Sequence, residues 1–400
     1  MKKIFWSIAF PAVCLALSLS SLSATLAMAA EAKCVKLEDV KSLFDLATID
    51  KKPIKKEFHG KTYTTNVAVN HIQGFTCYYH GSSLPQSSLG FITHSSSSDY
   101  GDYLVLYEDD HQKFQAVTPE KGFNHPGGLQ LIGDYAVVPI EKDDSSYVYA
   151  FDLSGVTDET TKKTPAYFPL SFPGETDNPK RAGKAGVVGI CDYTDAGGKN
   201  YFLLAVYDNG VLSFYTSEIT AGSTLENAKF SKKNTEFYTT QKGAFHGMSL
   251  IVQEGETDGS GKRVGSDRVF LVGFCVEDYW GSYRDYVGLY EVDLVNFILD
   301  NKVSDRHMTT TGGGMAGVHF RWGSSALARP GERLELYATE RQCSGSHMTY
   351  NIFSSASDLD SMTPPGGSKT SGGGCSTFGF GFGMLALAAT AALRTVSRRR

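Results

Sequence analysis

The sequence predicts an all-β fold, a five-bladed β-propeller, on three observations. Short apolar strands with alternating patterning recur throughout residues 61–353. Five successive units share a common opening: His71-Ile72-Gln73-Gly74, His125-Pro126-Gly127-Gly128, Lys184-Ala185-Gly186, His246-Gly247-Met248 and Met315-Ala316-Gly317, spaced 54 to 69 residues apart. Each unit holds room for four strands, the repeat of a propeller blade. The blades are expected near 71–121, 122–180, 181–241, 242–311 and 312–353. Lys61-Thr62-Tyr63-Thr64-Thr65-Asn66 matches the fourth strands of the units yet precedes the first opening. The expectation is that this segment closes the last blade and so removes an edge that would invite aggregation.

The remaining elements follow in chain order. Residues 1–30 read as a secretory signal: Lys2 and Lys3 at the start, an apolar stretch to Leu26, and Ala27-Met28-Ala29 as small residues around a cleavage point. In the segment 31–60, Val40, Leu43, Phe44 and Ala47 fall on one helical face, predicting a short amphipathic helix over Glu38–Ile49. A Gly/Ser/Pro linker occupies 354–374. Beyond Cys375, an uncharged run from Ser376 to Leu393 ends in Arg394 and Arg398-Arg399-Arg400. Its length is at the lower limit for an apolar helix crossing a bilayer, with the arginines on the cytoplasmic side.

This order of Gly372-Gly373-Gly374-Cys375, a short apolar run and an arginine cluster resembles the C-terminal sorting tags of the Synerg-CTERM type. The resemblance covers only the last ~30 residues. It implies membrane retention, processing near Gly374 and Cys375 by a dedicated intramembrane protease, lipid attachment at Cys375, and delivery by export machinery to the outer surface of a Gram-negative cell envelope.

Composition narrows the partners. Charged residues make up 20% of the chain and aromatics 12%, which excludes intrinsic disorder. Six of the 38 Lys and Arg residues lie in the two acid-free ends, so the middle carries 32 basic against 43 acidic groups. A nucleic-acid partner is therefore not expected.

The repeat itself nominates a site. Equivalent openings place His71, His125, Lys184 and His246 around one mouth of the channel, with His319 slightly deeper. The turns after the second strands carry acids, among them Glu108, Glu141, Asp208, Glu277 and Glu340. Trp280 adds an aromatic to the same face and suits stacking against a sugar or a protein. His71, His125 and His246 form a candidate set for a divalent metal, although Lys184 breaks the ring. If the histidines share one site, at least one should have a lowered pKa. The expected function is ligand binding, to a glycan or peptide, at the channel mouth. The alternatives are a propeller enzyme, metal-dependent or resembling a glycoside hydrolase, and a structural envelope protein. Gly312-Gly313-Gly314-Met315-Ala316-Gly317 satisfies a dinucleotide-binding pattern, but no helix is expected after it, so nucleotide binding is rejected. Cys34 and Cys343, near the two ends of the body, are a candidate disulfide in an oxidising compartment.

Overall fold

A computed structural model describes residues 32–59, 71–79, 88–95, 99–107, 113–154, 165–175, 178–238, 240, 242–260, 263–279, 281–312, 314, 317–342 and 347–356. All of them belong to one unit, residues 1–362; the second unit, 363–400, lies outside the described residues, as does the candidate signal. Gly374, Cys375, Trp280 and Cys343 are likewise outside them.

The chain is all-β with a propeller-like arrangement of antiparallel sheets. It opens with β1 (Lys36–Leu37), α1 (Val40–Thr48) and β2 (Ile54–His59). Sheet I follows as β3 (Ile72–Tyr79), β4 (Ser88–His94), β5 (Asp102–Tyr107) and β6 (Lys113–Val117). Sheet II has an innermost strand in two pieces, β7 (His125–Pro126) and β8 (Gln130–Ile132), then β9 (Tyr135–Lys142) and β10 (Ser145–Asp152); its outer position is shared by β11 (Ala166–Pro169) and β12 (Arg181–Ala182). Sheet III is β13 (Val187–Thr194), β14 (Asn200–Asp208), β15 (Val211–Ile219) and β16 (Ser231–Phe237). Sheet IV is β17 (Phe245–Gln253), β18 (Arg268–Tyr279), β19 (Ser282–Asp293) and β20 (Ile298–Met308). Sheet V has β21 (His319–Arg329), β22 (Arg333–Thr339) and β23 (His347–Ser354), and its fourth strand is β2.

That fourth strand corrects the expectation for the closing segment. Ile54 to His59, not Lys61–Asn66, pairs with β23, from Ile54 opposite Ile352 to His59 opposite His347. Residues 60–70 lie outside the described ones. The physical anchor is Phe58, fully buried, stacked on Tyr350 at 4.8 Å and set edge-on to Phe75 at 6.1 Å.

The core lies between neighbouring sheets, where side chains on facing sheets alternate inward. One cluster joins sheets V, I and II through Phe75, Phe91, Phe151 and Tyr337. Others join II to III, III to IV, and IV to V. Buried polar groups stitch the innermost strands together. Gln130 on β8 accepts from the backbone N–H groups of Ile190 (2.8 Å) and Leu250 (2.7 Å), and donates to the Leu250 carbonyl at 2.7 Å. Both ends of this buried amide are thus engaged, the oxygen accepting twice and the nitrogen donating once.

The glycines of the openings exist for the same crowding. A Cβ on Gly127 would stand 1.9 Å from the Gly186 carbonyl oxygen, and one on Gly247 would stand 2.0 Å from Ser324 Oγ. Only glycine lets adjacent inner strands approach this closely.

Helix α1 matches its expected apolar face: Val40, Phe44 and Ala47 are buried, and Asp39 caps the N-terminus by accepting from the Ser42 N–H at 3.0 Å. Ahead of it, the chain laces across the ends of the inner strands. β1 runs parallel to the end of β17, with Lys36 opposite Val252. Lys36 Nζ lies 2.9 Å from the buried Asp267, and the Cys34 N–H donates to Asp192 Oδ1 at 2.7 Å. This lacing corrects the disulfide expectation. Cys34 is a free thiol, held against sheet III with its Sγ donating to the Asp192 carbonyl at 3.4 Å. Burial, with Asp192 beside it, pushes that thiol well above the usual thiol range. Among the described residues no helix is long and apolar enough to cross a membrane.

Candidate functional site

The strand directions fix which residues meet. Inner strands start, and the second strands end, at the pole opposite to the Cys34–Leu37 lacing. His71, His125, Lys184 and His246 therefore all lie at or just before inner-strand starts. On the second strands, Glu141 pairs with His125, Asp208 is the last residue of β14, and Glu277 lies two residues before the end of β18. In sheet I the second strand is Ser88–His94, so the residue in this position is the buried His94. Glu108 follows the third strand instead and lies outside the described residues.

The fifth opening needs correcting too. Sheet V starts at His319, and a bulge between His319 and Ser324 separates it from the close approach to its neighbours. The glycine equivalent to Gly74, Gly127, Gly186 and Gly247 is Gly323, where a Cβ would meet Ile72 of sheet I at 3.0 Å. Arg321, two residues before that glycine, therefore occupies the position of Lys184. His319 is 3% exposed beneath it and is not part of the open site. Its Nδ1 lies 2.8 Å from Asp285 Oδ2 and its Nε2 lies 2.8 Å from the Gly314 carbonyl. Both partners only accept, so the ring must donate from both nitrogens and carry a positive charge. Burial works against that charge, yet the hydrogen bond and attraction of Asp285 more than offset it, and the His319 pKa is raised.

The mouth has two halves joined by one amide. Gln73 Nε2 stands 2.6 Å from His71 Nε2 and 2.9 Å from His125 Nε2, so its two N–H groups reach both rings. On one side, His125 Nδ1 lies 3.0 Å from Glu141 Oε1, and Glu141 Oε2 accepts from the Ala185 N–H at 3.0 Å. His125, Glu141 and Lys184, with Asp99, Asn124 and Lys142, line a pocket of about 390 Å³, within the range of small-ligand sites, about 300–1,000 Å³. Burial, then the neighbouring Glu141 carboxylate, raises the Asp208 pKa, with Lys184 opposing.

On the other side, His71 meets Trp322 edge-on at 5.4 Å. Arg321 lies over Tyr283 and Trp322, at 5.1 and 5.4 Å from their ring centres, and Arg341 lies 5.1 Å from the Trp322 centre. Burial, then the positive charge of His125, Arg341, His94 and Arg321, pushes His71 down to about 4. His246 is pushed to about 4 by burial, then by Arg321. Both rings are neutral near pH 7.

The geometry does not assemble the candidate metal set. Among the described residues, no group of three His, Cys, Asp or Glu side chains is placed to hold a metal ion. The Gln73 amide occupies the space between His71 and His125, and His246 is set beside Arg321, whose charge opposes a cation there. Glu277, half-buried, accepts from the Tyr286 hydroxyl at 3.2 Å. Gln73, His94, Arg321, Trp322 and Arg341 were not among the residues nominated from sequence. Aligning the units on the glycine of closest approach would have found Arg321 and Trp322.

No protein-family model matches the chain, and no curated protein does. Among solved structures, it is similar to a putative 6-phosphogluconolactonase from Bacteroides uniformis, at 15% identity and a TM-score of 0.29, over 63% of this chain and 60% of that one. It is also similar to the polysaccharide lyase Uly1, at 8% identity and a TM-score of 0.29, over 80% of this chain and 100% of that one. The chain thus spans less than two thirds of the lactonase structure.

Proposed function

We propose that the protein is an exported, surface-anchored five-bladed propeller that binds a ligand, a glycan or a peptide, at the channel mouth. Each of the five sheets is one blade, and β2 closes the ring by completing sheet V. The observation that carries this reading is the convergence of His71, Gln73, His125 and Glu141 at one pole, from two sheets 52 or more positions apart in sequence. At the opposite pole Cys34–Leu37 runs along the inner-strand ends of sheets III and IV. Export and anchoring rest on the N-terminal signal pattern and on the Gly374-Cys375 tag with its apolar run and arginines.

Binding of the purified protein to glycan and peptide arrays tests the reading, with His125→Ala and Lys184→Ala as paired variants. A ligand of the wild type should be weakened by both, and the double variant should be non-additive because the two residues share one pocket. A ligand indifferent to both substitutions would place binding elsewhere. Deleting Ser376–Arg400 should release the protein from membranes, and Cys375→Ser should abolish lipid labelling; retention of either property overturns the anchoring.

A second reading, a propeller hydrolase, is favoured by one observation. Glu141 lines the pocket and Asp208, whose pKa burial and the Glu141 carboxylate raise, neighbours it; two carboxylates at one site are what acid–base chemistry needs. Turnover of an array ligand that Asp208→Asn abolishes without weakening binding would favour it.

A further inference from the structure

The Arg321–Arg341 pair is the part of the mouth that ligand binding alone leaves without a role. Both guanidiniums lie over the ring of Trp322, which is 6% exposed and so fixed in place, and both act on His71. An aromatic face holds a guanidinium in place without neutralising it. Arg341 has no carboxylate at ion-pair distance among the described residues. Arg321 has only Asp278, at 4.0 Å and itself largely exposed. Here two cations are pre-set: among the described residues, Arg341 has no carboxylate partner and Arg321 has a distant, exposed one.

Across Gln73 the lining is mixed in charge, with the ammonium groups of Lys142 and Lys184 set among carboxylates. The pocket beside His125 presents the carboxylates of Asp99, Glu141 and Asp143, with Asp208 close to Glu141 and Lys184. Carboxylates are the strongest acceptors available to a hydroxyl. An extended polyanion would match the arginines and the two lysines but meet three carboxylates among them. A neutral sugar would satisfy the carboxylates and leave the arginines unmatched. A ligand with one carboxylate and many hydroxyls suits both halves, since guanidinium and carboxylate pair through two parallel N–H···O bonds.

We infer that the mouth takes an oligosaccharide bearing an isolated carboxylate, a sugar acid, with the carboxylate on Arg321 and Arg341 and the adjoining sugar in the pocket of Asn124, His125, Glu141 and Lys184. This deepens the ligand-binding reading and rests on it.

Calorimetric titration of the purified protein tests the inference with uronate-capped disaccharides of gluco, galacto and manno configuration, each against its neutral counterpart. At least one uronate-capped disaccharide should bind about 10-fold or more tighter than its neutral partner, as expected for a charge-assisted pair. Arg341→Gln should erase that ratio while leaving the neutral sugar's affinity and the melting temperature unchanged. Glu141→Gln should weaken acid and neutral sugars alike. The inference is overturned if no uronate-capped disaccharide binds, if the ratio survives Arg341→Gln, or if sodium sulfate competes at the same concentration as the sugar acid. A neutral glycan or a peptide that binds through His125 and Lys184 would overturn this inference while leaving the broader reading standing. Loss of the broader reading shows instead as array ligands indifferent to both of those residues.

Discussion

Substituting Asp285 with Asn tests the charge assigned to the buried histidine. Asp285 is 2% exposed and accepts three hydrogen bonds: from His319 Nδ1 at 2.8 Å, the Thr310 hydroxyl at 2.9 Å and the Phe320 N–H at 2.8 Å. Asparagine keeps the shape but removes the negative charge, leaving a buried imidazolium unpaired. Breaking a buried ion pair from one side costs about 3–5 kcal/mol, or a melting temperature lower by roughly 5–12 °C for a body of this size. The sign of the pH dependence follows from the raised folded pKa of His319. Its unfolded value is about 6.5, so the pair's stabilisation is fully present below that pH and is lost as pH rises through the higher folded value. His71 acts in the opposite sense: with its folded pKa near 4, acid favours the unfolded chain between about pH 6.5 and 4. Asp285 does not contribute to that shift, so the His71 slope cancels when the two proteins are compared. Urea denaturation from pH 5 to 9 should show the wild-type advantage largest at pH 5–6 and shrinking on the alkaline side. A constant difference across that range, or a variant as stable as the wild type at pH 5.5, would refute the charged-histidine account.

Two further outcomes follow from packing. Gly127→Ala would drive a methyl into the Gly186 carbonyl at 1.9 Å, and backbone on both sides cannot yield as a flexible side chain would. Soluble expression should collapse or the melting temperature fall by more than in Gly259→Ala, whose position has open space around it and an ordinary backbone; equal behaviour of the two would argue against the close approach. Phe58→Ala should cost about 3–5 kcal/mol, because its fully buried ring anchors the strand that completes sheet V against Tyr350. A loss under about 1 kcal/mol in denaturant titration would mean the Ile54–His59 strand contributes little to closing the sheet.

Local pattern determined a good deal of this protein. Alternating apolar residues specify strands, a 3.6-residue spacing of Val40, Phe44 and Ala47 specifies the helix, and the recurring glycine of the openings marks where inner strands crowd together. These are properties of neighbouring residues and can be read along the chain. The closing strand was mislocated by seven residues because several segments there have strand character, and only the fit of Phe58 between Tyr350 and Phe75 selects one. The fifth opening was misaligned because Gly317 and Gly323 look alike in sequence. The bulge between His319 and Ser324, a tertiary feature, decides which of them lies at the axis.

The site divides in the same way. That histidines from successive repeats meet at one pole is a consequence of repetition, which sequence carries. Whether they meet as ligands, as charges or as neutral acceptors is not, since this depends on what stands between them. Gln73, one amide on β3, fills the space between His71 and His125, and Arg321 on β21 and Arg341 just after β22, 250 or more residues further on, add to burial and His125 in lowering the His71 pKa. Asp285, 34 residues from His319, makes that ring a buried cation instead of a surface base. Protonation states answer to distances of a few ångströms, and only the folded chain sets those distances.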